Sequence, residues 1–319
     1  MKPLLFLTRL LPEPAIKLLE DNFTLKINPY NRSLTKQEIM ENIKDADALI
    51  CLLTDIIDKE IIDAAPKLKV ISNYAVGYNN IDIEYAIKCG IVVCNTPGVL
   101  TETTADLTWA LIMATCRRIT ESERFIRSGK FKGWEPMLML GQDVNNKTLG
   151  ILGMGRIGQA VAKRAVGFNM QIIYHNDIPL NQNLPYEATE VDFNTLLKEA
   201  DILTLHIPLT ENTYHLIGKI ELEIMKDSAV LINTSRGPII DEQELIRALS
   251  TKKIFAAGLD VYEQEPYIPP ELLALDNVVL LPHIGSASIE TRTKMALLAV
   301  ENAISVIEGR KPPAMVKLT

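Results

Sequence analysis

A glycine-rich turn and three ionisable residues carry most of the chemistry legible in this 319-residue chain. Gly153-Met154-Gly155-Arg156-Ile157-Gly158 follows an apolar run and opens an amphipathic stretch. In that strand–turn–helix setting such a turn cradles the pyrophosphate of a dinucleotide. The spacing assigns Gly153 to the tight turn, Gly155 to close approach of the backbone to phosphate, and Gly158 to helix-on-strand packing. The helix amino terminus adds unpaired N–H groups and a positive dipole end, and Arg156 offers a charged contact.

The residue that reads the adenosine ribose should end the next strand. An acid there accepts from the 2′-hydroxyl and repels a 2′-phosphate. Counting from Gly153, that place falls near Asn176, with Asp177 beside it, and no cation occurs between His175 and Leu184. The pattern favours NAD(H) over NADP(H), although Asn176 is not itself an acid.

Hydride reduction of a keto acid needs a cation for the carboxylate and ketone, an acid for the new alkoxide, and a group that tunes that acid. In an open parallel sheet these belong just beyond the carboxyl ends of strands. Arg236, in Asn233-Thr-Ser-Arg236-Gly237, follows one apolar run, and a guanidinium can grip a carboxylate with two parallel bonds. His283, in Leu281-Pro-His283-Ile-Gly285-Ser286, follows another. Glu265 lies beyond a third, and a carboxylate beside an imidazole favours the imidazolium and orients the ring. Each has a rival or a plain structural reading. Glu263 competes with Glu265 on spacing alone, His206 also ends a strand-like run, and Arg236 could be a surface ion-pairing group. His175 and His215 lack a comparable setting. The histidines and cysteines are not at ligand spacing, so no metal site is expected.

These groups need elements to hold them. Apolar runs at 4–7, 48–52, 70–72 and 91–94 alternate with amphipathic stretches, and a second series follows at 147–152, 171–174, 202–205, 229–232, 255–259 and 278–281. Such alternation predicts parallel strands joined by crossover helices, an α/β fold. Thr35-Lys-Gln-Glu38 has capping-box spacing, and Asp241-Glu-Gln-Glu244 supplies an acidic first turn. Residues 101–126 read as one long connecting helix that also suits a subunit interface. Residues 289–308 read as a last helix packing back on the first series.

The length predicts two domains. A 47% apolar and 23% charged composition is that of a globular protein, and a net charge of −7 disfavours nucleic acid or anionic membrane as partner. Four scattered cysteines, Cys51, Cys89, Cys94 and Cys116, read as buried reduced thiols. Arg9 interrupts the apolar amino terminus, and no run reaches the ~18 apolar residues of a membrane span. A cytoplasmic location is the expectation.

In order along nearly the whole chain, Gly153–Gly158, Leu205-His-Ile-Pro-Leu-Thr210, Asn233-Thr-Ser-Arg-Gly237, Gly258-Leu-Asp-Val-Tyr262 with Glu265-Pro266, and Pro282-His-Ile-Gly285 resemble the D-isomer-specific 2-hydroxyacid dehydrogenase family. The resemblance implies two Rossmann-like doubly wound parallel-sheet domains with the active site in the interdomain cleft. Residues 1–98 with 289–319 would form the substrate domain and 99–288 the dinucleotide-binding domain. It implies that Arg236 binds the substrate carboxylate and keto group, His283 is the general acid/base and Glu265 pairs with it, which leaves His206 on the cofactor side. Asn73-Tyr-Ala-Val76-Gly77 matches the family's carboxylate loop, so Val76 and Gly77 enter as substrate contacts. Cofactor contacts carry over to Gly155, Arg156, Ile157, Asn176, Pro208, Thr213, Thr234, Asp260 and Gly285, with Thr104 a weaker candidate.

Within the family, Cys51-Leu-Leu-Thr-Asp55, Thr115-Cys-Arg-Arg118, Gly133-Trp134-Glu-Pro136 and Pro282–Ala287 look most like glyoxylate/hydroxypyruvate reductases. Leu53 would line the substrate pocket and Ser286 would add a hydroxyl. The implied activity is reversible NAD(P)H-dependent reduction of a small 2-keto acid to the D-2-hydroxy acid. The implied state is a homodimer, with Trp134 and residues 137–140 as an apolar arm. Members favouring NADPH carry a basic residue where this chain has Asp177. The regulatory extension of many phosphoglycerate dehydrogenases is not expected, because the sequence ends soon after the last helix. Dehydrogenases of phosphoglycerate, lactate or 2-ketogluconate are the nearest alternatives. A non-catalytic NAD-sensing protein is disfavoured, because it could dispense with Arg236, Glu265 and His283.

Overall fold

A computed structural model describes residues 2–180 and 182–317. Met1, Asn181, Leu318 and Thr319, which include both chain ends of the expected substrate domain, lie outside the described residues. The chain divides into two compact units, residues 1–100 with 286–319 and residues 101–285.

The first unit runs β1 (Leu4–Leu7), α1 (Glu13–Asn22), β2 (Thr24–Ile27), α2 (Lys36–Ile43), β3 (Ala48–Cys51), α3 (Lys59–Asp63), β4 (Val70–Asn73), α4 (Ile83–Lys88) and β5 (Val92–Cys94). All pairings are parallel, in the order β2-β1-β3-β4-β5. β1, β3 and β4 are short apolar runs because helices cover both sheet faces; Leu5, Leu7, Leu49, Ile50 and Ile71 are fully buried. Each such side chain contributes about 1.5–3 kcal/mol of burial free energy. Thr35 caps α2 by accepting from the Glu38 N–H, and the Glu38 carboxylate accepts in return from the Thr35 N–H.

The second unit runs α5 (Thr101–Cys116), α6 (Ile119–Arg127), β6 (Thr148–Leu152), α7 (Arg156–Ala165), β7 (Gln171–His175), β8 (Thr189–Glu190), α8 (Phe193–Glu199), β9 (Ile202–Leu205), α9 (Lys219–Ile224), β10 (Val230–Asn233), α10 (Glu242–Ser250), β11 (Ala256–Leu259), α11 (Pro270–Leu273) and β12 (Val278–Leu280). Its seven parallel strands lie in the order β12-β11-β10-β9-β6-β7-β8. Strand order reverses at β6 beside β9, the place where an open α/β sheet binds ligands at its carboxyl edge. Half of α5 is buried, and Trp109 fixes it by donating to the Val161 carbonyl at 3.0 Å and stacking on Phe168.

α12 (Ile289–Ile307) belongs to the first unit. Ser72 Oγ donates to the Ala299 carbonyl at 2.8 Å, and Tyr74 Oη donates to that of Arg292 at 2.8 Å.

Two sequence expectations need correction, and two edge strands were absent from the expected series. The stretch 101–126 is two helices, broken where Arg118 takes a left-handed φ of 51°. No α-helix continues through such a residue. Bidentate pairing with Glu121 and donation to the Leu140 carbonyl hold Arg118 there. The edge strands β2 and β8 lack the continuous apolar run of the inner strands, because much of their surface faces solvent. Finally, Cys89 is exposed, whereas Cys51, Cys94 and Cys116 are buried.

Candidate active site

The glycine turn joins β6 to α7 at the strand-order reversal. Gly153 has φ 96°, and a Cβ there would lie 2.7 Å from the His206 carbonyl at the end of β9. A Cβ on Gly158 would meet the Gly153 carbonyl at 2.1 Å. The turn is therefore too tight for side chains at either position. At Gly155 a Cβ would enter open space, so the backbone can be approached there. Arg156 and Ile157 begin α7, whose first N–H groups face the same turn. These features fit a pyrophosphate.

Asn176 follows β7 and accepts from the Met154 N–H at 2.6 Å. Its side chain braces the turn, and exposed Asp177 follows it. His206 is half-buried, but its imidazole Nε2 is shut off from solvent and has no partner among the described residues. Desolvation pushes its pKa down to about 3, which favours the neutral ring. Thr213 caps the following loop by donating to the Pro208 carbonyl at 2.7 Å.

Three strand ends converge on the remaining groups. Asn233 at the end of β10 is fully buried; its amide donates to the Arg236 carbonyl at 2.9 Å and accepts from the Ser235 N–H at 3.0 Å. That turn carries Thr234, which hydrogen-bonds Thr108 at 2.9 Å, and then Arg236. Gly237 packs so close to the Tyr262–Glu263 backbone that a Cβ would approach within 1.9 Å. Burial lowers the Arg236 pKa while nearby Glu265 works against that; a guanidinium remains charged regardless.

After β11, Asp260 is fully buried and accepts from the Ile284 and Gly285 N–H groups, each at 2.7 Å. Burial raises its pKa despite these bonds. Asp260 thereby ties the loop after β11 to the loop after β12, and Thr104 of α5 lies against Gly285. The same tie presents His283, which has φ 55° and whose Nδ1 lies 2.8 Å from Glu265 Oε2. Burial works to raise the Glu265 pKa, but the hydrogen bond and charge of His283, the Tyr262 N–H and Arg236 outweigh it and hold the carboxyl below its usual range. Glu263 points elsewhere, accepting from the Glu242 N–H at 3.2 Å and lying 3.1 Å from His215 Nε2. Spacing left the two glutamates level; geometry joins only Glu265 to His283.

In the first unit, half-buried Leu53 sits in a loop closed by Asp55, which accepts from Thr8 Oγ1 at 2.5 Å and from the Leu52 N–H at 2.8 Å. Val76 and Gly77 lie in the loop after β4, and Ser286 precedes α12. Sequence reasoning named Asn176 only as a nucleotide contact and missed the bracing role that asparagines play at strand ends. Asn73, Asn95, Asn176 and Asn233 each use a side chain to brace a site-bearing loop. Their recurrence just beyond apolar runs was the available signal. A cavity of about 510 Å³ at the amino ends of β11 and β12, lined by Thr115, Arg118, Phe255 and Val278 among others, includes none of the candidate residues.

Residues 109–285 match the model of the D-isomer specific 2-hydroxyacid dehydrogenase NAD binding domain. The chain belongs to that family, whose members are oxidoreductases using a nicotinamide cofactor. Among its relatives, the glyoxylate reductase of Thermococcus litoralis is 51% identical, the match covering 99% of this chain and 97% of the relative. A glyoxylate reductase structure from Paecilomyes thermophila is 36% identical with TM-score 0.89, covering 99% of this chain and 98% of that one. An NADPH-dependent glyoxylate/hydroxypyruvate reductase from Sinorhizobium meliloti, solved with NADP and malonate, is 30% identical with TM-score 0.88, covering 99% and 97%.

Proposed function

We propose that this chain reduces glyoxylate to glycolate, which has no stereocentre, and hydroxypyruvate to the D-2-hydroxy acid. The observation that carries the reading is the 2.8 Å bond between His283 Nδ1 and Glu265 Oε2, with Arg236 close enough to bias that carboxylate. The reduced nicotinamide, when bound, supplies a hydride to the substrate C2. Arg236 holds the substrate carboxylate and polarises the C2 carbonyl, and the Val76 and Gly77 N–H groups bind the carboxylate oxygens. His283 gives its Nε2 proton to the oxygen that gains charge, while Glu265 orients the ring. Leu53 and Ser286 line the pocket for the short chain of the substrate. Residues 101–285 act as the dinucleotide-binding domain, with residues 1–100 and 286–319 as the substrate domain.

The cofactor contacts are the glycine turn, Asn176, Asp177, His206, Pro208, Thr213, Thr234, Asp260, Gly285 and Thr104. NADH is the preferred form, because the exposed Asp177 carboxylate repels a 2′-phosphate. The protein is a cytoplasmic homodimer. Among the described residues no helix is long and apolar enough to cross a membrane. Trp134 and Met137 are 83% and 75% exposed, an apolar arm suited to a second copy.

The test is the initial rate of NADH and NADPH oxidation with glyoxylate, hydroxypyruvate, pyruvate and 2-ketogluconate. Fast turnover confined to the first two supports the reading. Turnover only with another acid transfers the site to that substrate, and none at all rejects it.

A further inference from the structure

The loop after β4 is held by its carbonyls. The Thr96 N–H donates to the Ala75 carbonyl at 2.8 Å, and Asn95 Nδ2 donates to the next one, Val76, also at 2.8 Å. Asn73 Nδ2 donates to the Gly77 carbonyl at 2.9 Å. In a trans peptide the carbonyl of one residue and the N–H of the following residue point in opposite directions. Adjacent residues 95 and 96 therefore pull two successive carbonyls to one side and turn the Val76 and Gly77 N–H groups to the other. Among the described residues no protein acceptor takes either N–H. Two parallel unpaired N–H donors held by their own backbone are a site for one carboxylate.

The donors that do the holding are themselves fixed. Asn73, Asn80 and Asn95 are all buried. Asn73 Nδ2 also donates to Asn80 Oδ1 at 3.0 Å, and Asn80 Nδ2 donates to the Leu52 and Asp55 carbonyls. The backbone of Asn95 is clamped from the far end of the chain. Fully buried Asn302 on α12 donates to the Asn95 carbonyl at 3.0 Å and accepts from the Ala314 N–H at 3.0 Å. The Asn95 N–H in turn donates to the Ala314 carbonyl at 3.2 Å. The Asn95 amide is thus a preset donor with one carbonyl to serve.

We propose that Asn95, with Asn73 in support, is a positioning residue for substrate: by gripping the Val76 and Gly77 carbonyls these amides aim the loop's N–H groups at the substrate carboxylate. This rests on the assignment of Val76 and Gly77 as carboxylate contacts. Neither asparagine touches substrate. Each acts through the backbone, so its loss should weaken binding of the carboxylate and leave cofactor binding alone.

The experiment is steady-state kinetics on the full chain with glyoxylate and NADH, with inhibition by oxamate, an unreactive isostere of a small 2-keto acid. Asn95→Ala removes the donor, and Asn95→Asp keeps the shape but places an acceptor against the Val76 carbonyl. The expected result is a rise of about tenfold or more in the glyoxylate KM and the oxamate Ki, larger for Asn95→Asp. The fall in kcat should be smaller, and the NADH KM should stay within twofold. A glyoxylate KM within twofold of wild type overturns the proposal. So does a parallel rise in the NADH KM, the mark of a general scaffold defect. Should these variants not fold, the wild-type chain labelled with 15N-glycine decides: oxamate added with NADH should shift the Gly77 amide, and an unmoved Gly77 amide overturns the proposal. If wild type turns over neither glyoxylate nor hydroxypyruvate, the parent reading falls and this one with it; an active wild type with unaffected variants removes only this one.

Discussion

Glu265 Oε2 and His283 Nδ1 are 2.8 Å apart, across 18 residues of sequence and at the ends of neighbouring strands. The bond commits one ring nitrogen to the carboxylate and leaves Nε2 for chemistry. Replacing His283 by Gln should lower kcat by about 10²–10⁴-fold with little change in the NADH KM, as expected when proton delivery is removed. An unaltered kcat in that variant would exclude His283 as the acid.

Glu265→Gln should reduce kcat less than His283→Gln and should also show in the pH dependence of stability. The folded-state pKa of Glu265 lies below its ordinary value. Its contribution is therefore fully present above the unfolded value of about 4.3 and is lost as pH falls through the lower folded value. Urea midpoints should separate wild type from Glu265→Gln at pH 7 and converge as pH falls below the carboxyl's lowered folded value. A gap independent of pH would contradict this.

Arg236→Lys keeps the charge but loses the planar fork. Its kcat/KM for glyoxylate should fall about tenfold, and that of Arg236→Ala about a hundredfold, in line with ~1.5–3 kcal/mol for a charge-assisted bond. Near-normal constants in Arg236→Ala would reject the assigned role.

His206 makes acid stability informative. Burial lowers its folded pKa to about 3, whereas the unfolded chain titrates near 6.5. Between these values the unfolded state binds the extra proton, so stability falls as pH falls. His206→Asn, neutral throughout, should flatten the stability curve from pH 6.5 downwards by up to about 1.4 kcal/mol per pH unit. Equal slopes for the two proteins would mean that the imidazole is not held neutral.

Asp177→Arg should move the ratio of NADH to NADPH kcat/KM towards NADPH by about tenfold or more, by replacing repulsion of a 2′-phosphate with attraction. An unmoved ratio would shift nucleotide choice to another residue. For assembly, light scattering should give twice the chain mass for wild type and a single chain for the Trp134→Glu, Met137→Glu double variant; a monomeric wild type would dismiss the arm's role.

Inner strands were legible because parallel strands covered on both faces must be continuous apolar runs. Residues 202–205 and 4–7 match β9 and β1 residue for residue. The glycine turn was legible for an equally local reason: the positive φ of Gly153 and the close contacts at Gly153 and Gly158 leave no room for Cβ at those two positions. The edge strand β2 was not, since its half-exposed Thr-Leu-Lys-Ile resembles any surface segment. The helix break at Arg118 depends in part on the Leu140 carbonyl, 22 residues away.

By itself, then, the sequence determined the alternation of strands and helices, the glycine-rich turn between β6 and α7, and the arrival of Arg236, Glu265 and His283 just beyond strand ends, because each follows from local sterics or short-range patterning. Tertiary structure decided what spacing left level: Glu265 meets His283 while Glu263 turns to His215 and the Glu242 N–H, the His206 Nε2 loses solvent, and Asn95 grips Val76 under a clamp from Asn302, 207 residues away. Bonds from side chains to distant backbone have no period and no fixed spacing. They come into being only when the sheet sets its strand ends side by side.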